Sequence, residues 1–243
     1  MSPLVVRSWA AWAPGIETEG DWQGWVRAPT QLGAEGIPNV GFLPAMLRRR
    51  CDGLSRLMLF TAQHCCEESE RDQVTSVFAS RYGPVNTTLS MLADLAQDEP
   101  VSPTRFSHSV HNAQAGLFAI WTGNQQASVS VSARGDTFAL GFLEAVCMLH
   151  RYPDRSVLFV CGDEALGAPL AELANPKVGP HSLALLLSRT GPGQPLSFRL
   201  EAPAPADAAR GWPEGVEFLR WMLSADPSLR LAGHRRSWVW TRG

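Results

Sequence analysis

The stretch that decides the fold spans residues 107–164 and reads SHSVHNAQAGLFAIWTGNQQASVSVSARGDTFALGFLEAVCMLHRYPDRSVLFVCGDE. Small and apolar residues over 112–120 predict a helix, because they keep the spacing of one helical face. Serine then alternates with apolar residues over 127–133, which predicts a strand. A helix followed by a strand with one buried side indicates an α/β fold.

The second part of this stretch predicts a turn, a buried helix and a buried strand. Arg134, Gly135 and Asp136 form the turn, apolar residues over 137–150 predict the helix, and the apolar run over 156–161 predicts the strand. Many α/β enzymes present a nucleophile at the start of such a helix, where partial positive charge stabilises a developing anion. None of the three turn residues is a Cys or a Ser.

Composition limits the possible classes of protein. The chain has 243 residues, of which 45% are hydrophobic and 18% charged, and its formal net charge is -2. We expect a single domain over residues 1–243. The slight negative charge argues against nucleic acid or an anionic membrane as the main partner. No apolar run approaches about 18 residues and no signal peptide is evident, which predicts no membrane span and a cytoplasmic location.

The cysteines favour a reduced protein whose thiols lie in the core. Their number is odd, and none forms a C-x-x-C pair. Motifs for zinc proteases, phosphate-binding loops and dinucleotide binding are missing from the sequence, so we expect no cofactor and no metal. The five cysteines are Cys51, Cys65, Cys66, Cys147 and Cys161.

The remaining chain alternates predicted helices with predicted strands, which indicates a three-layer α/β unit. Residues 17–39 are rich in Gly and Pro and predict an irregular segment, whereas helical spacing over 45–67 predicts one long amphipathic helix. Further strands are expected at 4–12, 73–79, 182–189, 196–202 and 237–241, and further helices at 86–97 and 215–224.

Polar residues in the opening stretch are weaker candidates for chemistry. His108 and His111 are suited to metal binding or base catalysis, but no Cys or carboxylate cluster accompanies them, which favours a structural or interface role. Cys161 lacks a neighbouring base and is expected to be a core thiol. Asp163 and Glu164 follow a buried strand, where capping and loop hydrogen bonds are the ordinary roles of carboxylates.

These motifs resemble the N-terminal half of β-ketoacyl-acyl carrier protein synthases, which belong to the thiolase-like superfamily. In that family an Asn and small residues precede a helix, as in VHNAQAG at residues 110–116, and a Gly-containing turn follows, as at Thr122 and Gly123. A strand similar to residues 128–133 precedes the catalytic Cys, and the next strand ends in Gly-Gly-x-Glu, where this chain has CGDE at residues 161–164. The resemblance implies one ketosynthase half with a thiolase-like, three-layer α/β fold and a mixed sheet.

The departures from the family pattern concern catalysis. The family's nucleophilic Cys falls near Gly135, where Arg134, Gly135 and Asp136 offer no acyl-accepting thiol. The family also uses a pair of His, or His and Asn, with a Lys from a second half; the sequence contains no such half, and its single lysine, Lys177, matches no such motif. Because condensation proceeds through a covalent acyl-enzyme, we expect no catalytic residue and no synthase activity in the isolated chain.

Within the family, this deficit resembles chain length factors, which lack the Cys and pair with an active ketosynthase. The resemblance is to the truncated type found beside ketosynthases of aryl polyene clusters. It implies a full-length ketosynthase as partner, acyl carrier protein as an indirect partner, and dimer pairing through the strand at 127–133, whose free edge can accept a partner strand. Ordinary helix packing is the alternative for residues 112–118. The implied tunnel and interface residues are His111, Asn112, Ala113, Ala115, Phe118, Ser128, Ser130 and Ser132.

Two other functions stay open from the sequence. One is an acyl-thioester hydrolase or transferase on the same scaffold, which would use Cys161 or Ser107 with His108 or His111. The other is a carrier-protein docking module that uses the arginines at positions 48–50, whose ordinary interpretation is a solvated helix face.

Overall fold

A mixed sheet of eight strands runs through the computed structural model, which describes residues 4–173, 179–203 and 211–243. Lys177 lies outside the described residues. Across the sheet the order is β3-β2-β4-β5-β1-β6-β8-β7, so β3 and β7 are its two edges. The strands are β1 (Leu4–Trp12), β2 (Thr75–Ala79), β3 (Ser128–Val131), β4 (Val157–Asp163), β5 (His181–Ser188), β6 (Gln194–Glu201), β7 (Ser228–Ala232) and β8 (Ser237–Arg242).

Strand direction divides the sheet into two parts. Strand β2 pairs in parallel with both β3 and β4, whereas β4 with β5 and every pair beyond it are antiparallel. The parallel strands are joined by helical connections, as parallel neighbours require. The α-helices are α1 (Glu19–Arg27), α2 (Ala45–Arg48), α3 (Gly53–Cys65), α4 (Val85–Ala96), α5 (Pro103–Ser107), α6 (Ala113–Thr122), α7 (Thr137–Arg151) and α8 (Glu214–Leu223).

Helices cover both faces of the sheet and create two hydrophobic clusters. Side chains alternate along β4, so Phe159 joins the cluster under α7 and α8, while Leu158 and Val160 join the cluster under α3 and α6. Gly141 in α7 permits close approach to the sheet, since a Cβ there would lie 2.8 Å from the Phe159 ring. The predicted three-layer α/β fold with a mixed sheet is therefore confirmed.

The predicted long helix over 45–67 is wrong in one respect, because the segment divides into α2 and α3. Asp52 has an extended backbone, with φ -72° and ψ -177°, and its carboxylate accepts a hydrogen bond from the Ser55 N–H at 2.7 Å. An N-cap of this kind starts a new helix and does not continue the previous one. The break turns the chain between Arg49 and Asp52 away from a straight helical path.

The prediction that residues 17–39 are irregular is also wrong at its start, where α1 forms. Thr18 and Asp21 make a reciprocal capping box, which the T-x-x-D pattern encodes. Two further short elements, α5 and β7, were absent from the predicted set. Strand β7 is stabilised by antiparallel pairing with β8. The sequence pattern of β7 alone does not predict this pairing, because it depends on cross-strand contacts.

The elements of the opening stretch form close to their predicted bounds, as α6, β3, α7 and β4. The turn between β3 and α7 is a single 3-10 turn over Arg134–Asp136. Among the described residues, no helix combines the length and the apolar character needed to cross a lipid bilayer.

Candidate functional site

An open cleft lies between helix α6 and the edge strand β3. Its volume is about 670 Å³, and small or uncharged polar side chains form its walls. Six of the predicted tunnel and interface residues meet there, although they come from segments that are separate in sequence. The lining residues are His111, Asn112, Ala115, Gly116, Ala119, Ser128, Ser130 and Ser132.

Strand β3 presents a different face to each side. Val129 and Val131 pack against the core under α7, whereas Ser128 and Ser130 line the cleft. Ser128 accepts a 2.8 Å hydrogen bond from the Ser76 hydroxyl, and the buried Ser130 Oγ has no hydrogen-bond partner in the part of the chain described. The serine–valine alternation thus places a polar face on the cleft and an apolar face on the core.

The backbone of β3 leaves one side of the strand unpaired. Ser76 donates its N–H to the Ala127 carbonyl and Ser80 donates to the Val131 carbonyl, both at 3.1 Å. Backbone groups alternate in direction along a strand, so the N–H and C=O groups of Ser128 and Ser130 point away from β2. Since β3 is the sheet edge, these groups can pair with a strand from another chain.

Helix α6 supplies the opposite wall of the cleft. Its buried face packs into the core through Leu117 and Phe118, while Gly116 and Ile120 are exposed. The helix ends at Gly123, whose φ of 70° is left-handed and suits glycine. The residues of α6 that line the cleft, Ala115, Gly116 and Ala119, are all small, which lets another backbone approach this side of the helix closely.

His111 is held at the mouth of the cleft by the chain that follows β2. Its Nε2–H donates to the Ser80 carbonyl at 3.0 Å. The ring also lies against Gly83, where a Cβ would meet His111 Cδ2 at 3.0 Å and where φ is +59°. The close contact and the positive φ explain why position 83 is a glycine. The contact and the hydrogen bond to Ser80 give His111 a structural role, as predicted.

The turn after β3 is closed by hydrogen bonds to its own backbone and to a distant hairpin. The Thr137 hydroxyl accepts from the Ala133 N–H at 2.9 Å and donates to the Arg134 carbonyl at 2.8 Å. The Asp136 carboxylate accepts from the His234 N–H at 3.0 Å, in the β7–β8 connection. The turn is therefore structured, although it carries no thiol or hydroxyl nucleophile.

A comparison with protein families identifies the scaffold around this cleft. A family model described as beta-ketoacyl synthase, N-terminal domain, matches residues 22–241. The chain belongs to the β-ketoacyl synthase family. The match confirms the predicted resemblance to the N-terminal half of a ketosynthase, and a search of curated proteins finds no match.

Solved structures of the β-ketoacyl synthase family share the fold. A chain of the ketosynthase ApeO in complex with its chain length factor ApeC from Xenorhabdus doucetiae is 30% identical, with a TM-score of 0.84 and coverage of 100% of both chains. The ishigamide ketosynthase/chain length factor is 16% identical, with a TM-score of 0.61 and coverage of 83% of this chain and 68% of the other. A β-ketoacyl synthase from Burkholderia phymatum STM815 is 13% identical, with a TM-score of 0.60 and coverage of 83% and 65%.

The remaining predicted tunnel residues of this ketosynthase-family chain lie outside the cleft lining. Phe118 is 1% exposed, and its ring packs 5.7 Å from the Phe78 ring and 6.0 Å from the Trp121 ring. Ala113 is also buried. For these two residues the observed environment is that of ordinary helix packing, and their tunnel role stays a prediction.

The sequence-based prediction omitted two residues of the cleft, Gly116 and Ala119. Both follow Asn112 and Ala115 at helical spacing, and this spacing is the signal that could have identified them. The prediction named Phe118 instead, because a sequence does not show which face of an apolar helix the core will take.

The residues of the proposed thioesterase alternative are not assembled into a catalytic group. Burial raises the pKa of the Cys161 thiol well above its usual range, and the carboxylates of Asp163 and Glu214 raise it further. The Ser107 hydroxyl donates to the Thr104 carbonyl at 2.8 Å. In the described residues no hydrogen bond joins Cys161 or Ser107 to His108 or His111.

The two carboxylates after β4 have different environments. Asp163 accepts hydrogen bonds from the Ser80 hydroxyl at 2.6 Å and from the backbone N–H groups of Arg81 and Tyr82, so it fixes the chain after β2. Burial nevertheless raises its pKa, and His181 opposes that effect. Loop hydrogen bonding, the predicted ordinary role, is what Asp163 performs; Glu164 lacks such a set of donors. Within the described ranges, no group of three or more His, Cys, Asp or Glu side chains is suited to hold a metal ion.

Proposed function

We propose that this chain is a non-catalytic chain length factor that pairs with a full-length ketosynthase and shapes the acyl tunnel of that partner. The observation that carries the proposal is the α6–β3 cleft, where an unpaired strand edge adjoins a helix with small exposed residues. The full-length match to a chain from the ApeO–ApeC complex supports it. The products would be polyenes or polyketides, with the aryl polyene type favoured by the sequence resemblance.

Pairing would proceed through the outward backbone groups of Ser128 and Ser130. An added strand satisfies donors and acceptors that water otherwise solvates, and it extends the sheet without rearrangement of the chain. The short length of β3, four residues, limits its value as a template for indiscriminate aggregation.

An exposed apolar surface beside the cleft also supports a protein partner. Leu92 and Leu95 on α4, Phe106 on α5 and Val110 before α6 are each 46–64% exposed. Helix α4 was predicted to be amphipathic, yet Met91 is its only buried residue. Exposed apolar patches of this kind mark interaction sites, which supports a protein partner for this side of the chain.

The proposed absence of catalysis rests on the Arg134–Asp136 turn. Arg134 has a left-handed φ of 53°, and Asp136 is engaged with the His234 N–H. No side chain of this turn can form a thioester, so the acyl-enzyme of a condensation reaction would have to form on the partner.

The proposal is tested by producing the chain alone and together with a full-length ketosynthase encoded beside it. We expect a stable one-to-one complex by size-exclusion chromatography with light scattering, and condensing activity only when the ketosynthase retains its own Cys. A stable monomeric chain that neither binds the synthase nor changes its products would refute the proposal.

Tunnel shape is tested by changing the volume of cleft residues within the complex. A115L adds volume inside the cleft, and we expect it to shorten the product chain, as measured by mass spectrometry. F118W is the comparison variant, because it enlarges a side chain of the same helix that packs against Phe78 in the core and does not line the cleft. Unchanged products with A115L would count against a tunnel role for this wall.

Two alternatives are separated from the leading proposal by direct experiments. A thioester-mimicking electrophile should leave the purified chain without stoichiometric label, whereas a hydrolase using Cys161 or Ser107 would be labelled. Charge reversal of Arg48 tests carrier-protein docking by the arginine triplet. Loss of carrier binding with an intact ketosynthase complex would favour that docking role.

A further inference from the structure

A second cavity, here called the arginine pocket, lies where the α2–α3 connection, α4, α5 and the end of β4 converge. Its volume is about 390 Å³, which is within the range of small-molecule sites. The walls carry several charged side chains, whereas those of the α6–β3 cleft are formed by small or uncharged polar side chains. The lining residues are Arg49, Arg50, Cys51, Asp52, Gly53, Asn86, Thr87, Ser90, Thr104, Arg105, His108 and Glu164.

Three guanidinium groups give the arginine pocket a basic wall. Arg105 is oriented by a 2.6 Å ion pair with Asp94 and by a hydrogen bond to the Ser90 hydroxyl. Arg49 and Arg50 are exposed, and among the described residues their side chains make no hydrogen bond or ion pair. Two guanidinium groups therefore have free donors at the mouth of the cavity.

The opposite wall contains the Glu164 carboxyl group, which Asn86 contacts by hydrogen bonds but which keeps one oxygen without a partner in the part of the chain described. Glu164 Oε1 is buried and has no hydrogen-bond partner within the described residues. Glu164 lies directly over the first turn of α3, since a Cβ on Gly53 would meet its Oε2 at 2.6 Å. An unsatisfied buried oxygen is costly, which indicates that something else completes this site.

The protonation of Glu164 fits an anionic ligand. Burial, and then the Asp52 carboxylate, raise its pKa to about 7, against the opposing effect of Asn86. The carboxyl is therefore partly protonated near neutral pH and can donate a hydrogen bond to an anion. The charged or titratable groups that share a cavity lining with it, or act on it electrostatically, are Asp52, Asp163, Glu35, Cys51, Arg49, Arg50, Arg105 and His108.

We propose that the arginine pocket binds a phosphate group, with Arg49 and Arg50 contacting its oxygens and the unpartnered Oε1 of the Glu164 carboxyl facing it from the opposite wall. Guanidinium groups match phosphate oxygens in charge and in the spacing of their donors. The hydroxyls of Ser90 and Thr104, which also line the pocket, provide further polar contacts.

Asp52 is the second acidic residue in the lining, and its carboxylate is engaged by contacts of its own. Asp52 would repel an anion, but its Oδ1 accepts from the Ser55 N–H at 2.7 Å and its Oδ2 accepts from the Thr87 hydroxyl at 3.3 Å. The N-terminus of α3, whose backbone N–H groups carry partial positive charge, therefore offsets the negative charge of Asp52. With Glu164 protonated, the guanidinium groups dominate the charge of the pocket.

The first test is titration of the full chain with inorganic phosphate at pH 6.5 by calorimetry, with glycerol 3-phosphate as a second probe. Tighter binding of the ester would identify an organic phosphate as the natural ligand, and equal binding would identify the phosphate group alone. We expect R49A and R50A each to weaken binding about tenfold, the loss of one charge-assisted contact.

The matched control is R48A, because Arg48 is the neighbouring arginine and lies outside the pocket lining. We expect R48A to bind phosphate as the wild type does. An equal loss in R48A and R49A would show attraction by general surface charge and would overturn the proposal, as would no binding at millimolar phosphate.

The role of Glu164 is tested with sulfate, which carries no proton near neutral pH. Sulfate affinity should fall about tenfold per pH unit above pH 7 as Glu164 loses its proton, and E164Q should remove this dependence because its amide still donates. A pH dependence that persists in E164Q would assign the proton to another group and would refute the role of Glu164.

Discussion

The α6–β3 cleft and the arginine pocket are both open concavities beside helices α4 to α6, but they are lined in opposite ways. Serine, alanine and glycine dominate the cleft, and its hydrogen-bonding capacity lies in the free backbone of β3. The pocket holds three arginines and two carboxyl groups. A neutral surface can be covered by another protein without desolvating ions, whereas a charged pocket favours a small ion that supplies the matching charge.

This difference indicates that the two concavities recognise different classes of partner. The cleft is open along the free edge of the sheet, so it can accommodate a large partner such as another protein chain. The pocket is bounded by side chains from four segments, and the unused oxygen of Glu164 defines one contact point inside it. The following predictions separate the two surfaces by stability, pH and association, from the largest expected effect to the smallest.

The largest effect on stability is expected at Phe118, on the buried side of α6. F118A should lower the free energy of unfolding by about 3–5 kcal/mol, because it removes a buried ring and leaves a cavity. Chemical denaturation measures the change, and I120A is the control because Ile120 is 66% exposed on the same helix. If F118A instead leaves stability intact while altering products in the complex, Phe118 belongs to the tunnel.

The second prediction concerns the pH dependence of stability that Glu164, in the wall of the arginine pocket, should produce. The pKa of Glu164 rises from 4.5 to about 7 on folding, so the folded chain holds the proton more tightly than the unfolded chain. Stability linked to this group is complete below pH 4.5 and is lost as the pH rises through 7. Relative to wild type, E164Q should therefore gain up to about 3 kcal/mol between pH 4.5 and pH 8. A pH-independent difference, followed by chemical denaturation, would show that Glu164 is not buried as a neutral acid.

The third prediction addresses the free edge of β3. S130P removes an N–H that points away from β2, so the sheet of the chain itself keeps its hydrogen bonds. In the ketosynthase complex it should weaken association about ten- to a hundredfold, the cost of leaving a partner carbonyl unpaired. S130A is the matched control, since it changes the same side chain and leaves the N–H in place. Equal affinities of S130P and S130A, measured by interferometry, would remove β3 from the interface.

The smallest effect is expected on the outer face of α6. A Cβ at Gly116 would have nothing within 4 Å, so G116A should raise the stability of the free chain by about 0.5–1 kcal/mol through helix propensity. The control is G123A, which should be destabilising because Gly123 has a φ of 70°. In the complex, G116A should weaken association if a partner backbone approaches α6; a gain in both measurements would place the partner elsewhere.

Local pattern was sufficient for most of the fold. The serine–valine alternation predicted β3, and the apolar runs predicted α7 and β4, because these signals are written in consecutive residues. The division of 45–67 into α2 and α3 was not predicted, since the capping role of Asp52 competes with a continuous helical pattern over the same residues.

The cleft was predicted in part. Asn112, Ala115 and Ser130 were named from the family resemblance and do line it, whereas Phe118 was named on the same basis and packs into the core. The sequence contains the apolar character of α6, but the side of the helix that faces α3 is selected by the opposing layer.

The sequence by itself determined most of the helices and strands, the family, and the lack of Cys or Ser at the Arg134–Asp136 turn, because each of these depends on residue identity and short-range spacing. Tertiary structure alone decided which face of α6 packs into the core and that Glu164 lines the same pocket as Arg49 and Arg50. The physical reason is that both features depend on packing between segments far apart in the chain. A pattern of neighbouring residues does not encode which of these segments will meet.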